Sequence, residues 1–86
     1  QQLDMKDEAL EEYTIAIDLD DENLHPHVNR AELLLQKGQF DKALDDLKRA
    51  IELDPQCKNE ASIRARALAE ATAKALDEIS KAIVRQ

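Results

Sequence analysis

The sequence contains few of the residues that interrupt helices or stack on nucleic-acid bases. Its 86 residues include one glycine, two prolines, one tyrosine, one phenylalanine and no tryptophan. Because glycine and proline are the residues least compatible with a helix interior, their scarcity predicts a helix-rich chain without strands. The scarcity of aromatic residues also argues against a nucleic-acid partner, whose recognition uses stacking side chains and a basic patch.

Positive charge is also scarce, and it is unevenly distributed. Residues 1–57 hold 15 acidic and 6 basic side chains, whereas residues 58–86 hold 4 acidic and 6 basic ones, for a net charge of -7. An acidic chain of this kind is a poor partner for phosphate groups. No apolar run approaches the roughly 20 residues that a membrane span needs, so no membrane partner is expected. The lone Cys57 cannot form an internal disulfide, which favours a reducing compartment and predicts a cytoplasmic location.

The polar residues lack the spacing of a catalytic, cofactor or metal site. The alternating acidic stretch at residues 18–22 is not followed by the glycine and glutamate that a calcium loop requires. His25 and His27 are two residues apart, which places them on different sides of a helix and predicts surface or groove positions. We therefore expect no enzyme, no bound metal and no cofactor.

The clearest positive signal is an internal repeat. Residues 7–23 align with residues 41–57 at an offset of 34 residues. The identical pairs are Asp7 and Asp41, Ala9 and Ala43, Leu10 and Leu44, Ala16 and Ala50, Ile17 and Ile51, Leu19 and Leu53, and Asp20 and Asp54. Apolar residues in each copy recur three and four apart, as in a helix with one buried face. Residues 20–23 between the copies offer capping side chains, and Gly38 provides a helix stop.

The unit at residues 24–57 resembles the tetratricopeptide repeat family. It has the family's small residue Ala31 in the first helix, Gly38 at the turn, Phe40 after it, Ala43 and Ala50 in the second helix, and Leu53-Asp54-Pro55 at the exit. Arg30 departs from the pattern, since leucine is common at its position. The resemblance implies an all-α fold of helix-turn-helix repeats, a fragment of an α-solenoid, and a protein-binding function.

The resemblance also divides the single domain at residues 1–86. Residues 1–20 correspond to the second helix of a truncated repeat, residues 24–57 to a complete repeat, and residues 58–86 to a third repeat. Lys74 to Ile79 repeats Lys42 to Leu47 at an offset of 32, so two residues of the turn have been lost. Ala71-Thr72-Ala73 contains no helix breaker, which predicts one continuous helix over residues 58–85. A very tight turn near Thr72 is the alternative.

A continuous last helix has a consequence for assembly. It carries the aliphatic side chains of its second half away from the first half, against which they would pack in a closed repeat. A second copy of the chain offers the face that is missing, which predicts self-association into a homo-oligomer, most simply a dimer, by a domain swap. The predicted contact residues are Leu76, Ile79, Ile83, Leu68 and Ala65.

The alternative function is peptide binding by a monomer in the concave groove of the repeats, in a co-chaperone or complex-assembly protein. The resemblance implies groove residues His25, Asn29, Glu32 and Gln36. Asn29 matches the middle asparagine of the clamp with which the family holds a C-terminal carboxylate. Asn59 and Ile63 stand where the clamp has lysine and arginine, so a working clamp is not expected.

The alanine-rich stretch at residues 60–74 bears on the origin of the chain. Together with a truncated first repeat and a missing turn, it suggests a protein engineered to study or force assembly. A natural fragment is the other interpretation.

Overall fold

The computed structural model describes residues 5–84, and within them the chain forms four α-helices and no strand. The helices are α1 (Met5–Leu19), α2 (Leu24–Gln36), α3 (Phe40–Leu53) and α4 (Glu60–Val84). Short connections at residues 20–23, 37–39 and 54–59 make successive helices antiparallel neighbours. The predicted all-α, helix-turn-helix architecture is confirmed. Residues 1–4 and 85–86, which belong to the predicted first and last segments, lie outside the described residues.

The connection between α1 and α2 ends one helix and starts the next with side-chain oxygens. Asp20 Oδ1 accepts a hydrogen bond from the backbone N–H of Glu22 at 3.1 Å. Asn23 caps α2, its Oδ1 accepting from the backbone N–H of His25 at 3.2 Å. Pro26 lies in the first turn of α2, where the missing N–H would have had no helical partner. The capping role predicted for residues 20–23 is therefore confirmed.

Gly38 makes the turn between α2 and α3. Its φ of +78° lies in the left-handed region. The N–H of Gln39 bonds the carbonyl of Leu34 at 2.9 Å, and the N–H of Gly38 bonds that of Leu35 at 3.1 Å. This pair of bonds is a Schellman motif, which requires a left-handed residue just past the helix end. A side chain at position 38 would meet no atom within 4 Å, so the need for glycine is conformational.

The connection between α3 and α4 is held by Asp54. Its Oδ2 accepts hydrogen bonds from the backbone N–H of Asn59 at 2.8 Å and from Ser62 Oγ at 2.5 Å. Asn59 in turn caps α4, because its Oδ1 accepts from the backbone N–H of Ala61 at 2.9 Å. Helix α4 therefore begins at Glu60, two residues later than predicted.

The core lies between α2, α3 and the first half of α4. Its buried residues are Val28, Ala31 and Leu34 of α2, Ala43, Leu47 and Ala50 of α3, and Ala65 of α4. Four of the seven are alanines, which let the helix backbones approach closely. Helix α1 lies on the other side of α2 and contributes the half-buried Leu10 to this core.

Helix α4 runs for 25 residues without a turn. At 1.5 Å per residue its length is about 38 Å. Thr72 lies inside the helix, and its Oγ1 donates to the carbonyl of Leu68 at 2.7 Å. The prediction of one long helix is confirmed, and the alternative of a tight turn near Thr72 is wrong. The reason is local, since Ala71, Thr72 and Ala73 all tolerate helical dihedral angles.

Candidate functional site

The second half of α4 leaves the body of the chain. Thr72 is buried and Leu76 is half-buried, whereas every residue from Asp77 to Ile83 is exposed. We call residues 77–83 the projecting segment. Leu76 marks its root, because this side chain lines a cavity of about 330 Å³ together with Phe40 and its neighbours in the turn between α2 and α3.

The structure separates the five residues predicted for self-association into two groups. Ala65 is fully buried in the core of its own chain, and Leu68 is half-buried against that core. Ile79 and Ile83 lie on the projecting segment with 50% and 67% of their surface exposed. Ala65 has no surface to offer a second copy while it is buried in this core, which corrects its predicted place in the contact. The face that remains available consists of Leu76, Ile79 and Ile83.

The predicted groove residues share one face of α2. His25 and Gln36 are exposed, and Asn29 and Glu32 are half-buried. Glu32 Oε2 accepts a hydrogen bond from Arg64 Nη2 at 2.7 Å, so this face of α2 adjoins α4. The structure thus connects Glu32 to the next helix.

Helix α4 also lines a cavity that was not predicted. Ile63, Arg66, Ala67 and Glu70 line a cavity of about 380 Å³ with Cys57. Ile63 is 53% exposed. The repeat could have predicted this residue, because Ile63 follows the predicted groove residue Asn29 by 34 residues, which is the length of one repeat.

A polar cluster between α2 and α3 also escaped prediction. Asp46 is buried and accepts two hydrogen bonds from Arg30, at 2.7 Å from Nε and 2.6 Å from Nη2. The hydrogen bonds that Arg30 donates to Asp46 raise the pKa of Arg30 above its ordinary value, and burial opposes this rise. The cluster explains why Arg30 can replace the usual leucine.

His27 was expected at the surface or in the groove, and this prediction is wrong. The side chain is buried, and Nε2 donates to the carbonyl of Asp21 at 2.9 Å. Its Nδ1 lies 3.8 Å from Asp46 Oδ1. The imidazole therefore packs between the α1–α2 connection and α3, where it has a structural role.

A cavity of about 430 Å³ coincides with neither predicted surface. It opens between α1 and α3, with Leu10, Arg30 and Lys42 among its lining residues.

Within residues 5–84 no group of three or more histidine, cysteine or acidic side chains is placed to hold a metal ion. No helix in the same part of the chain is long and apolar enough to cross a membrane.

Antiparallel helix pairs stacked side by side define the chain as an all-α helical-repeat protein. The family model described as tetratricopeptide repeat matches residues 26–57. Residues 26–57 are therefore similar to a tetratricopeptide repeat.

Three plant proteins are similar to the chain over 60 residues, or 70% of its length. They are Hsp70-Hsp90 organizing protein 3 of Arabidopsis thaliana at 35% identity, Hsp70-Hsp90 organizing protein of Triticum aestivum at 33%, and Hsp70-Hsp90 organizing protein 1 of Arabidopsis thaliana at 32%. The chain spans about a tenth of their length, 11% of the first and 10% of the other two. No solved structure matches the chain significantly.

Proposed function

We propose that the chain is a protein–protein interaction module that binds a second copy of itself through Leu76, Ile79 and Ile83, forming a homo-oligomer, most simply a dimer. The observation that supports the proposal is the exposure of Ile79 and Ile83 on a helix that continues past the rest of the fold. A regular helix with two large aliphatic side chains on an exposed face is typical of a binding surface rather than a solvated end.

The repeat pattern indicates that the face with Ile79 and Ile83 is of the kind that packs against another helix. At the offset of 32 residues, Ile79 corresponds to Leu47, which is fully buried between α2 and α4. Ile83 corresponds to Ile51, which packs against the same core. The sequence pattern of a buried helix is thus repeated on the projecting segment, where residues 5–84 leave it exposed. Burying the exposed part of Ile79 and Ile83 would contribute roughly 1–2 kcal/mol each.

Two matched variants test the proposal. Ile79→Asp places a charge in the proposed contact, and Ile63→Asp makes the same change at an isoleucine of similar exposure on the other face of α4. We expect Ile79→Asp to be monomeric and Ile63→Asp to keep the parent's association, both retaining the parent's helix content. Light scattering at several hundred micromolar distinguishes the variants. Equal association of both variants would show that the projecting segment is not the contact.

A second candidate function is peptide binding by the monomer in the groove between α2 and α4. It is supported by the hydrogen bond from Arg64 of α4 to Glu32 of α2, which places the two helices side by side, and by the exposure of Ile63 on α4. The names of the plant relatives suggest a ligand class, namely chaperone peptides of the Hsp70 and Hsp90 type. Asn29 alone remains of the expected clamp, so any such ligand would bind without a complete carboxylate grip.

The same two variants separate the second function from the first. A labelled peptide with the C-terminal sequence of an Hsp90 or Hsp70 protein would bind the parent and Ile79→Asp equally, and bind Ile63→Asp at least about tenfold more weakly. Absence of binding at millimolar peptide would remove this candidate. Either function is a binding role, and the free Cys57 supports the proposal of a cytoplasmic location.

A further inference from the structure

The root of the projecting segment forms a corner with the rest of the chain. Leu76 lies on one wall, and the turn between α2 and α3, with Gly38 and Phe40, forms the other. Leu76, Ile79 and Ile83 follow one another at steps of three and four residues, so they lie along one face of α4. Each copy therefore presents an apolar ridge, Ile79 and Ile83, and an apolar corner at the foot of that ridge. The same surface therefore holds both the side chains that would insert into a second copy and the corner that would receive them.

Charge favours this surface over the others when two copies meet. The chain carries a net charge of -7, and α1 contains five acidic residues and one lysine. Between Lys74 and Ile83 there are two lysines, one aspartate and one glutamate, so this part of α4 is neutral. Copies that approach through α1 repel one another, whereas the projecting segments can meet without that cost. Helix α4 as a whole is also neutral, with four acidic and four basic residues.

The side chains around Ile79 are small enough for a second helix to approach. Ala75, Ser80 and Ala82 flank Ile79 around the helix and are all exposed. Small flanking residues allow a second helix to approach closely, so the isoleucines can be covered from both sides.

We infer that two copies pair reciprocally, with the projecting segments antiparallel and related by a two-fold axis near Ile79. Ile83 of each copy enters the other's corner against Leu76 and Phe40, and the two Ile79 side chains meet at the axis. Leu76 precedes Ile79 by three residues, and Ile83 follows it by four. In an antiparallel pair centred on Ile79, Ile83 of one copy therefore lies opposite Leu76 of the other, to within one residue. This inference rests on the proposed self-association and specifies its geometry. The apolar patch is small, so the pair is weak and of the transient class.

Cysteine cross-linking tests the geometry. Cys57 has a φ of 54°, a left-handed conformation that asparagine tolerates, so Cys57→Asn provides a cysteine-free background. Ser80→Cys places a thiol beside the two-fold axis, and Lys81→Cys places one on the far side of the helix. We expect Ser80→Cys to form a disulfide-linked dimer under mild oxidation at least about tenfold faster than Lys81→Cys, because only the former thiols face one another across the contact.

The outcomes test the reciprocal pairing separately from self-association itself. If the unmodified chain is a monomer at every concentration, the proposed function is wrong. If it is a dimer but the two cysteine variants cross-link at equal rates, self-association stands and the reciprocal pairing is wrong. Masses that grow beyond the dimer would show a head-to-tail contact on another surface, α1 for example, and would also overturn it. As an independent check, Phe40→Ala should weaken the dimer several-fold while the helix content of the monomer stays within that of the parent.

Discussion

Arg30 and Asp46 lie at the centre of the contact between α2 and α3. The two hydrogen bonds at 2.6 and 2.7 Å use both oxygens of a buried carboxylate, and Arg30 also donates to Thr14 Oγ1 at 3.3 Å on α1. This one guanidinium therefore connects three helices. A buried carboxylate with a bidentate arginine is costly to disrupt, because removal of one partner leaves the other without its hydrogen bonds.

The stability of the fold should therefore depend strongly on Asp46 and weakly on its neighbour Asp45. Asp46→Ala removes the partner of Arg30 and should lower the free energy of unfolding by about 2 kcal/mol. Asp45→Ala changes an exposed side chain and should alter it by less than about 0.5 kcal/mol. Urea unfolding followed by circular dichroism measures both. Equal effects of the two substitutions would show that the Asp46 cluster does not stabilise the fold.

Asp54 gives the stability a dependence on acidic pH. The hydrogen bond from Ser62, together with that from the backbone N–H of Asn59, lowers the pKa of Asp54 below its ordinary value of 3.8. A carboxylate with a lowered folded-state pKa adds stability above its unfolded pKa and loses it as the pH falls through the folded pKa. Such carboxylates titrate between about pH 5 and about pH 2. Over that range the free energy of unfolding of Asp54→Asn should therefore fall less than that of the parent.

The measurement for this second prediction is the urea midpoint at several acidic pH values, with Asp45→Asn as the control. Asp45 is exposed on the surface of α3, so its substitution should leave the pH dependence close to that of the parent. A parent and an Asp54→Asn variant with parallel pH curves would contradict the role assigned to Asp54.

Residues that act locally could be predicted from the sequence, and residues that act across helices could not. The cap at Asn23 and the stop at Gly38 depend on neighbours within five residues, and both were predicted. The pairing of Arg30 with Asp46 depends on how α2 turns against α3, across 16 residues of chain. The burial of His27 depends on the same packing, which composition and spacing do not report.

At the scale of the element, α4 combines two different environments in one helix. Residues 61–72 include the side chains that pack against the core, whereas every residue of the projecting segment is exposed. Helices of this length gain most of their stability from tertiary packing, so the two halves should differ in their protection from local unfolding.

Hydrogen exchange measures that difference directly. At low protein concentration, the amides of residues 77–83 should exchange at least about tenfold faster than those of residues 62–72. At concentrations where the chain self-associates, exchange in the projecting segment should slow, because the second copy covers it. Exchange rates in residues 77–83 that match the core at low concentration would indicate a helix stabilised without a partner.

The continuity of α4 could be predicted, but the assignment of its apolar face could not. Ala71, Thr72 and Ala73 lack a breaker, and this local property decided the single helix. Ala65 and Leu68 were predicted to share one self-association surface with Leu76, Ile79 and Ile83. The sequence did not show that Ala65 is buried within its own chain, because periodicity identifies a face and not the element that covers it.

At the scale of the whole molecule, the chain is a short array in which each helix pair needs its neighbour. The core is shared by α2, α3 and the first half of α4, as expected for repeats that bury their apolar faces by stacking. The described chain ends with a helix whose second half repeats the pattern of α3 without the cover that α3 has. The interpretation of residues 58–86 as a third repeat with fused helices remains a prediction, and it gives this uncovered face its origin.

The most direct test of this account is the mass of the unmodified chain in solution as a function of concentration. Sedimentation equilibrium from about 10 µM to about 500 µM covers the range in which a weak pair of this size should form. The account predicts a mass that rises from the monomer's 9.7 kDa toward twice that value. A mass of 9.7 kDa at every concentration would contradict it.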